Sequence, residues 1–537
     1  MTSIIEEIKL HCQLLKINKK DLRGFFSSPY LIILIAIFSI LFLPHAFVVV
    51  KDINFVLAYE VDPGSIIDSI LSMYKNLYNM NAGYHSKYYG WTYYWISFIL
   101  LAPIYFVEKV ILSGNLFAFF IGTRLLFFLI GLLSVLAFYR IIVRIFRNKL
   151  VGLIGGLLYI SSPVISKYFY FLHPESTGLL FLFLGILCLL NFRDSEAKEH
   201  RWYTIGLLSL TLSALSKHPF ILPAISVLGL FLITYFYYQR VSLIKFLFSW
   251  RFVKLLLITI GLPLLVFFVI NPYAFLEPRV FLKYQLGLTS NQLSSTSLTF
   301  FQGLNAWISI IRSLPVILIS IILAPVSIVM SLVRSKDKLG KSYYVVNIIT
   351  AILFIVVFSI LSRFIIDQMY FAPIYPLFIL NLLSISLFII NELKQDKIKN
   401  ITVAIFSALV LVIIIGNFNK SLPVAFKRLN YKRTTIYQTY NYIEKEIPEG
   451  SRIAYDHFVA IPSNKDFESC HYWRGCGTDY IEEFNPNYVI FNMKWTFGGS
   501  VHLPTQRLID YIQDHNMTLD EVIGGDSSYQ VWVWKKP

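Results

Sequence analysis

Ionisable side chains gather where long apolar stretches of this chain end. Tyr-Glu-Val-Asp-Pro-Gly at 59–64 carries Glu60 and Asp62, two carboxylates able to take a proton from a hydroxyl or to help hold a divalent ion. Phe-Leu-His-Pro-Glu at 171–175 adds His173 and Glu175, Gly-Thr-Arg at 122–124 adds Arg124, and Leu-Ser-Lys-His at 215–218 adds Lys217 and His218. Arg363 stands four positions before Asp367, and His85 lies in a Tyr-rich segment. An ionisable group inside an apolar helix is costly unless it is paired or used, so each is a candidate for chemistry. Each also has a plainer reading. Asp-Pro-Gly is a turn signature, and His-Pro-Glu suits a helix opened by proline, with Glu favoured at its N-terminus. Arg363 could pair with Asp367 one turn on, and the other cations could snorkel to a membrane surface. His85, His218 and the nearby carboxylates would suffice for a metal ion, but no tight spacing assigns them to one.

The elements that must position these residues follow from composition. Of 537 residues 56% are hydrophobic and 15% charged, with a mean hydropathy of +0.63. Soluble domains carry about 25% charged residues. The apolar residues form long unbroken runs, sufficient for membrane-spanning helices and unlike the alternating strands of a β-barrel. The fold class expected is an all-α polytopic membrane protein of about eleven transmembrane helices. They are placed at 30–50, 122–139, 150–165, 176–192, 203–217, 219–238, 254–271, 306–333, 343–361, 370–391 and 400–418. The transmembrane domain thus covers 30–420, after a cytoplasmic segment at 1–29, and its first exterior loop, 51–91, carries the acidic motif.

Orientation comes from Lys and Arg, which are retained in short cytoplasmic loops. With the N-terminus inside, 23 of the 47 Lys and Arg fall in cytoplasmic pieces, every one of them short and basic. Counting 92–107 as a crossing would put Arg140, Arg144, Arg147 and Lys149 outside. That stretch is therefore expected as a membrane-surface helix, with Trp91, Tyr93, Tyr94 and Trp95 at the interface. No small-residue cleavage site follows the first helix, which is read as a retained anchor. The net charge of +16 is accounted for by this asymmetry, and no nucleic-acid partner is expected.

Beyond residue 425 charged residues return. Strand-like runs at 452–455, 488–491 and 529–534 alternate with helical patterns at 435–446 and 505–515, giving a small exterior α/β domain over 425–537. Cys470 and Cys476 close a short loop there and could form a disulfide in an oxidising compartment. Cys12 and Cys188 are expected unpaired.

Taken in order, the motifs resemble the C-type integral-membrane glycosyltransferases, in the branch of the protein O-mannosyltransferases and the lipid A aminoarabinose transferases. The acidic motif follows the first helix. Tyr-His-Ser-Lys-Tyr-Tyr-Gly-Trp-Thr-Tyr-Tyr-Trp at 84–95 is similar to that branch's His-Pro-Pro-Leu-Tyr-Tyr segment. Gly-Thr-Arg-Leu-Leu at 122–126 resembles the opening of its second crossing, and Leu-Ser-Lys-His-Pro at 215–219 resembles a Leu-Thr-Lys-Gly-Pro segment. Met-Tyr-Phe-Ala-Pro-Ile-Tyr-Pro at 369–376 resembles a late Arg-Tyr-x-x-Pro-x-x-Pro helix start. The chain departs where the family often has Asp-Glu and this sequence has Asp62-Pro63, and where both prolines after His85 are missing.

The resemblance implies a sugar donor linked to a polyprenyl or dolichyl phosphate, used on the non-cytoplasmic face in one inverting displacement. It implies Asp62 as general base with Glu60 as fallback, and His173 and Glu175 as a second acid or acceptor clamp. Arg124, Lys217 and Arg363 would bind the lipid phosphate, and His85 and His218 are candidates for a divalent metal, the only cofactor considered. The acceptor would be a glycan, a lipid or a protein, with membrane lipids as further partners. The C-terminal region lacks the repeat pattern of the domain inserted in protein O-mannosyltransferases, which points to a prokaryotic plasma membrane. Two rivals remain. A lipid-linked oligosaccharide or O-antigen ligase shares the architecture. A transporter or flippase would show internal repeats and mid-membrane charges, and the sequence shows neither.

Overall fold

The computed structural model describes residues 28–48, 54–55, 61–75, 92–111, 116–239, 250–271, 300–334, 368–393, 395–455, 459–471, 477–492, 496–497, 500–501, 503–524 and 530–537, together with isolated helical residues within 274–279 and 345–356. The first part is a helical bundle. Among the described residues its α-helices of nine or more residues are α1 (Pro29–Phe42), α2 (Val61–Lys75), α3 (Thr92–Tyr105), α4 (Phe117–Phe146), α5 (Lys149–Ser161), α6 (Glu175–Asp194), α7 (His200–Ser216), α8 (Ile221–Gln239), α9 (Leu262–Ile270), α10 (Phe300–Ser313), α11 (Pro315–Arg334), α12 (Tyr375–Glu392) and α13 (Asp396–Leu429).

Among the described residues six helical stretches are long and apolar enough to cross a membrane: Pro29–Phe47, Phe117–Phe146, Glu175–Asp194, His218–Gln239, Val253–Ile270 and Asp396–Phe426. Two bent pairs bring the count to eight. Both bends fall at prolines. Lys149–Ser161 and Pro163–Phe169 meet at 62°, because Ser162 before Pro163 is driven out of the helical region, to ψ 126°, by the proline ring. The crossing expected as one helix over 306–333 is instead broken before Pro315, where the two halves meet at 103°. α7 and Tyr375–Ile390 are shorter than a full span, and most of 343–361 lies outside the described residues.

The bundle closes through small residues, as membrane helices do where backbones approach. A Cβ on Gly156 would lie 2.5 Å from Leu34 of α1, and one on Gly206 of α7 would lie 2.3 Å from the Phe231 ring of α8. At one end of the bundle, Arg144 of α4 donates to Asn191 Oδ1 and Asp194 Oδ2 of α6, each at 2.6 Å. α3 departs from expectation in its surroundings. Tyr93 and Tyr94 are fully buried, and Tyr93 packs edge-on to Phe127 of α4, so these rings face protein.

After α13 the chain enters α14 (Thr435–Glu446), capped by the Thr434 hydroxyl on the Tyr437 N–H, and then a five-stranded sheet in the order β2-β1-β3-β7-β6. Its strands are β1 (Arg452–Tyr455), β2 (Glu468–His471), β3 (Tyr488–Asn492), β6 (Thr518–Ile523) and β7 (Val531–Lys535). β1 pairs parallel with β2 and β3, while β3–β7 and β7–β6 are antiparallel. A short hairpin, β4 (Thr496–Phe497) and β5 (Ser500–Val501), stands apart. Alternate strand residues feed two cores. Ile453, Ile490 and Val533 pack with Ile443 of α14. Ala454, Val489 and Phe491 pack with Ile481 of α15 (Gly477–Phe484) and Leu508 and Ile512 of α16 (Leu503–Asp514). Cys470 is disulfide-bonded, Cys188 is buried and free, and Cys476 lies outside the described residues.

Packing at Gly206 and at Gly229 should separate cleanly. Gly206→Val must displace Phe231, at an expected cost of about 1–3 kcal/mol. Gly229→Ala meets nothing within 4 Å and should leave stability unchanged or slightly raised. Thermal unfolding of the two purified variants in detergent checks the contrast, and equal melting would contradict the close crossing of α7 and α8.

Candidate active site

The site is built from helix ends. α4 starts after Leu116, which holds a left-handed φ of 63°, and its first free N–H groups need acceptors. Glu108 supplies them. Its Oε1 accepts from the Ala118 N–H at 2.8 Å and its Oε2 from the Phe119 N–H at 2.7 Å. A buried carboxylate at a helix N-terminus also meets the positive end of the helix dipole. Two turns on, Arg124 is buried, and its Nη1 donates to the Val48 carbonyl at 2.8 Å. The start of α4 is thereby tied to the end of the first helical stretch.

The centre of the site is Glu175, the first residue of α6. Its Oε2 accepts from His173 Nδ1, and its Oε1 accepts from Lys217 Nζ at 2.5 Å. The side chains are almost sealed, with 3% of Glu175, 4% of His173 and 13% of Lys217 exposed. An ionised carboxylate only accepts, so His173 carries its proton on Nδ1 in this contact. Glu175 and Lys217 are 42 positions apart, and the turn at each makes their meeting possible. Pro174 starts α6, while Lys217 adopts extended backbone (φ −164°, ψ 141°) that ends α7 before the His218–Phe220 turn.

Packing beneath fixes that meeting. Gly178, one turn into α6, lies against the Phe220 ring, where a Cβ would come within 2.7 Å. The Ser213 hydroxyl of α7 donates to the Gly178 carbonyl at 2.7 Å. On the other side the Ser176 hydroxyl donates to the Tyr168 carbonyl at 2.6 Å, and the Tyr168 ring sits 5.5 Å from that of His173. His45, also buried, stacks on Tyr170 with ring centres 4.9 Å apart. The Phe171 ring, next in sequence to Tyr170, sits 6.5 Å from that of His173.

α3 is bonded to two neighbouring helices. Thr92 donates to the Leu212 carbonyl of α7 at 3.0 Å, and Trp95 Nε1 to the Ile270 carbonyl of α9 at 2.8 Å. The next residue, Asn271, is buried, with its Oδ1 unmatched.

Of the residues singled out in the sequence, His173, Glu175 and Lys217 come together, while Arg124 is buried and donates to the Val48 carbonyl. His218, next to Lys217, is exposed. Asp62 is the second residue of α2. The backbone there is the first turn of a helix rather than the extended or turn segment expected of Glu-Val-Asp-Pro-Gly, and Pro63 is compatible with it because a first-turn N–H has no helical acceptor to lose. Glu60, His85 and Arg363 lie outside the described residues, as does the Asp62 side chain. Among the described residues no group of three or more His, Cys, Asp or Glu comes together in a way that could hold a metal ion. Sequence reasoning passed over Glu108 and His45. The signal available for both was polarity inside an apolar run, at Phe-Val-Glu-Lys-Val-Ile and Leu-Pro-His-Ala-Phe.

Comparison with known proteins agrees with the motif reading. Residues 116–267, from the start of α4 into α9, match the family described as dolichyl-phosphate-mannose-protein mannosyltransferase, and this stretch holds Arg124, His173, Glu175 and Lys217. No curated protein matches the chain. The fold is similar to the crystal structure of ArnT from Cupriavidus metallidurans bound to undecaprenyl phosphate, with a TM-score of 0.51 and 13% identity over 94% of this chain and 98% of that one. The apo crystal structure of the same protein gives a TM-score of 0.46 at 14% identity, over 94% and 97%. The resemblance to the C-type glycosyltransferases read from the motifs is borne out by the family match and the shared fold.

The Glu175 group should behave as a buried ion pair. Lys217→Ala leaves a carboxylate buried with one partner fewer, at an expected cost of about 3–5 kcal/mol. Glu175→Gln combined with Lys217→Gln removes both charges and should recover most of that loss. Melting of the purified variants tests this, and a single Lys217→Ala that melts like the parent would contradict the pairing.

Proposed function

We propose that the chain is a membrane glycosyltransferase that moves a sugar from a polyprenyl-phosphate carrier to an acceptor hydroxyl on the non-cytoplasmic side. The observation that carries the reading is the sealed Glu175–Lys217–His173 group, inside a stretch matching a family that uses dolichyl-phosphate mannose. The ArnT counterpart carries undecaprenyl phosphate, which supports the same class of lipid here. The basic short loops support a cytoplasmic N-terminus, which puts the Glu175 end of α6 and the C-terminal sheet on the opposite side of the membrane.

The chemistry then divides among the residues as follows. Asp62 takes the proton of the acceptor hydroxyl as its oxygen attacks the anomeric carbon on the face opposite the carrier phosphate. The bond from that carbon to the phosphate oxygen breaks, and the configuration inverts. Negative charge gathers on the departing lipid phosphate, where Lys217, Arg124 and Arg363 offset it, Arg by paired N–H groups and Lys as a point charge. Glu175 already accepts from two donors, so its part is to hold Lys217 and His173 in place. Glu60 is the second acid within reach by sequence. The lipid tail lies along the apolar helices.

The test is mass spectrometry of polyprenyl-phosphate lipids in a deletion strain, complemented by the parent or by Asp62→Asn. A phosphate-linked sugar should accumulate in the deletion and in the Asp62→Asn strain, with transfer reduced about 10²–10⁴-fold, the range for loss of a general base. An unchanged carrier-lipid profile, together with a solute that no longer crosses the membrane, would replace the enzyme by a transporter.

A further inference from the structure

The segment that follows the first helix is held at two points before it reaches α2. Val48 is the first, through its carbonyl to Arg124 and its side chain in a cluster with Phe55, Tyr440 and Ala460. Phe55 and Asn54 are the second. Phe55 is 1% exposed. Its ring meets those of Tyr431, Tyr437 and Tyr440 edge-on, at 6.1, 6.1 and 5.6 Å with interplanar angles of 70°, 89° and 85°. Beside it, Asn54 Nδ2 donates to the Ile461 carbonyl at 2.9 Å.

Apart from Arg124, these partners belong to the C-terminal part of the chain. Tyr437 and Tyr440 are on α14, whose Ile443 is packed into the sheet core. Ile461 belongs to the same core. The aromatic box is thus fixed to the sheet, and its contents belong to the bundle. Edge-to-face aromatic packing is direction-dependent, so three tyrosines around one ring set its orientation as well as its depth. Asp62 follows Phe55 by seven positions, so the anchor lies just upstream of the helix that carries it.

We infer that Phe55 is a positioning residue: with Asn54 it clamps the segment leading into α2 against the C-terminal sheet region, so that the placement of Asp62 depends on that region. The C-terminal region then acts as a brace for the acid-bearing helix. The catalytic half of this inference rests on the proposed role of Asp62, whereas the clamp rests on the contacts alone.

The experiment compares the parent chain with Phe55→Ala, Phe55→Leu, Asn54→Ala and Asp62→Asn, each purified at full length in detergent. Three properties are read: amide exchange in 61–75, retention of undecaprenyl phosphate by native mass spectrometry, and sugar transfer judged from the carrier lipids of complemented strains. For Phe55→Ala, exchange in 61–75 should rise at least tenfold and transfer should fall at least tenfold. Lipid retention and exchange in β1 and β3 should stay as in the parent, which general unfolding would not allow. Phe55→Leu, which refills most of the volume, should recover most of the transfer. Asn54→Ala removes one hydrogen bond and should shift exchange in the same direction by less, so the clamp remains testable if Phe55→Ala does not accumulate. Parent-like exchange in 61–75 for both Phe55→Ala and Asn54→Ala would overturn the clamp, as would loss of lipid retention in step with transfer. Asp62→Asn should lose transfer with parent-like exchange. If it transfers normally, the base assignment falls, and the exchange data still decide the clamp.

Discussion

A carboxylate inside a lipid-covered bundle must meet cations at contact distance, and Glu175 is that carboxylate. Removing a charge from water costs several kcal/mol even after relaxation, and only close, well-directed partners return it. His173 comes from the same turn, but Lys217 comes from the far end of the next helix. That single requirement sets the N-terminus of α6 and the C-terminus of α7 at one level. It also requires a backbone break at Lys217, since a lysine continuing α7 would have its stem pointing back along the helix.

Much else serves this arrangement. The glycine at 178 lets Phe220 lie flat against α6, directly after the Lys217 break. The Ser213 and Ser176 hydroxyls pin α6 to its neighbours. Non-helical backbone is tolerated at membrane depth only where protein or a water-lined cavity surrounds it. Here the break at Ser162–Pro163 has Ser162 buried, and the break at Lys217–Phe220 sets Lys217 against Glu175 with Phe220 buried beneath. Glu108 plays a similar part for α4. By satisfying the first N–H groups of that helix it fixes where Arg124 begins to count its turns.

What the sequence made legible was periodicity, and what it hid was partnership. Long apolar runs located α1, α4, α6, α8 and α13, because a helix that must satisfy its own backbone needs no distant partner. In the C-terminal region β1, β3, β7, α14 and α16 were readable from local patterning. β2 was not, since its Glu-Ser-Cys-His carries no apolar alternation, and β6 is an edge strand with an almost wholly exposed pattern. Proline spoke ambiguously. In Asp62-Pro63-Gly64 it suggested a turn and stands in a first helical turn, whereas before Pro315 a continuous apolar run concealed a 103° bend. Glu175 and Lys217 were each singled out by polarity at a helix end, but their pairing depends on how α6 and α7 lie, which no local spacing encodes. The Tyr93–Tyr94 pair misled for the same reason. Aromatic residues suit a membrane interface and a buried helix contact equally well, and only the position of α4 decides.

The central proposal is that Lys217, held by Glu175, and Arg124 receive a lipid phosphate. Native mass spectrometry of the purified chain with undecaprenyl phosphate and with undecaprenol, for the parent and for the Arg124→Gln variant, tests this most directly. The account predicts that the parent retains one undecaprenyl phosphate in preference to the alcohol, and that Arg124→Gln loses the preference. Equal retention of phosphate and alcohol by the parent would contradict it.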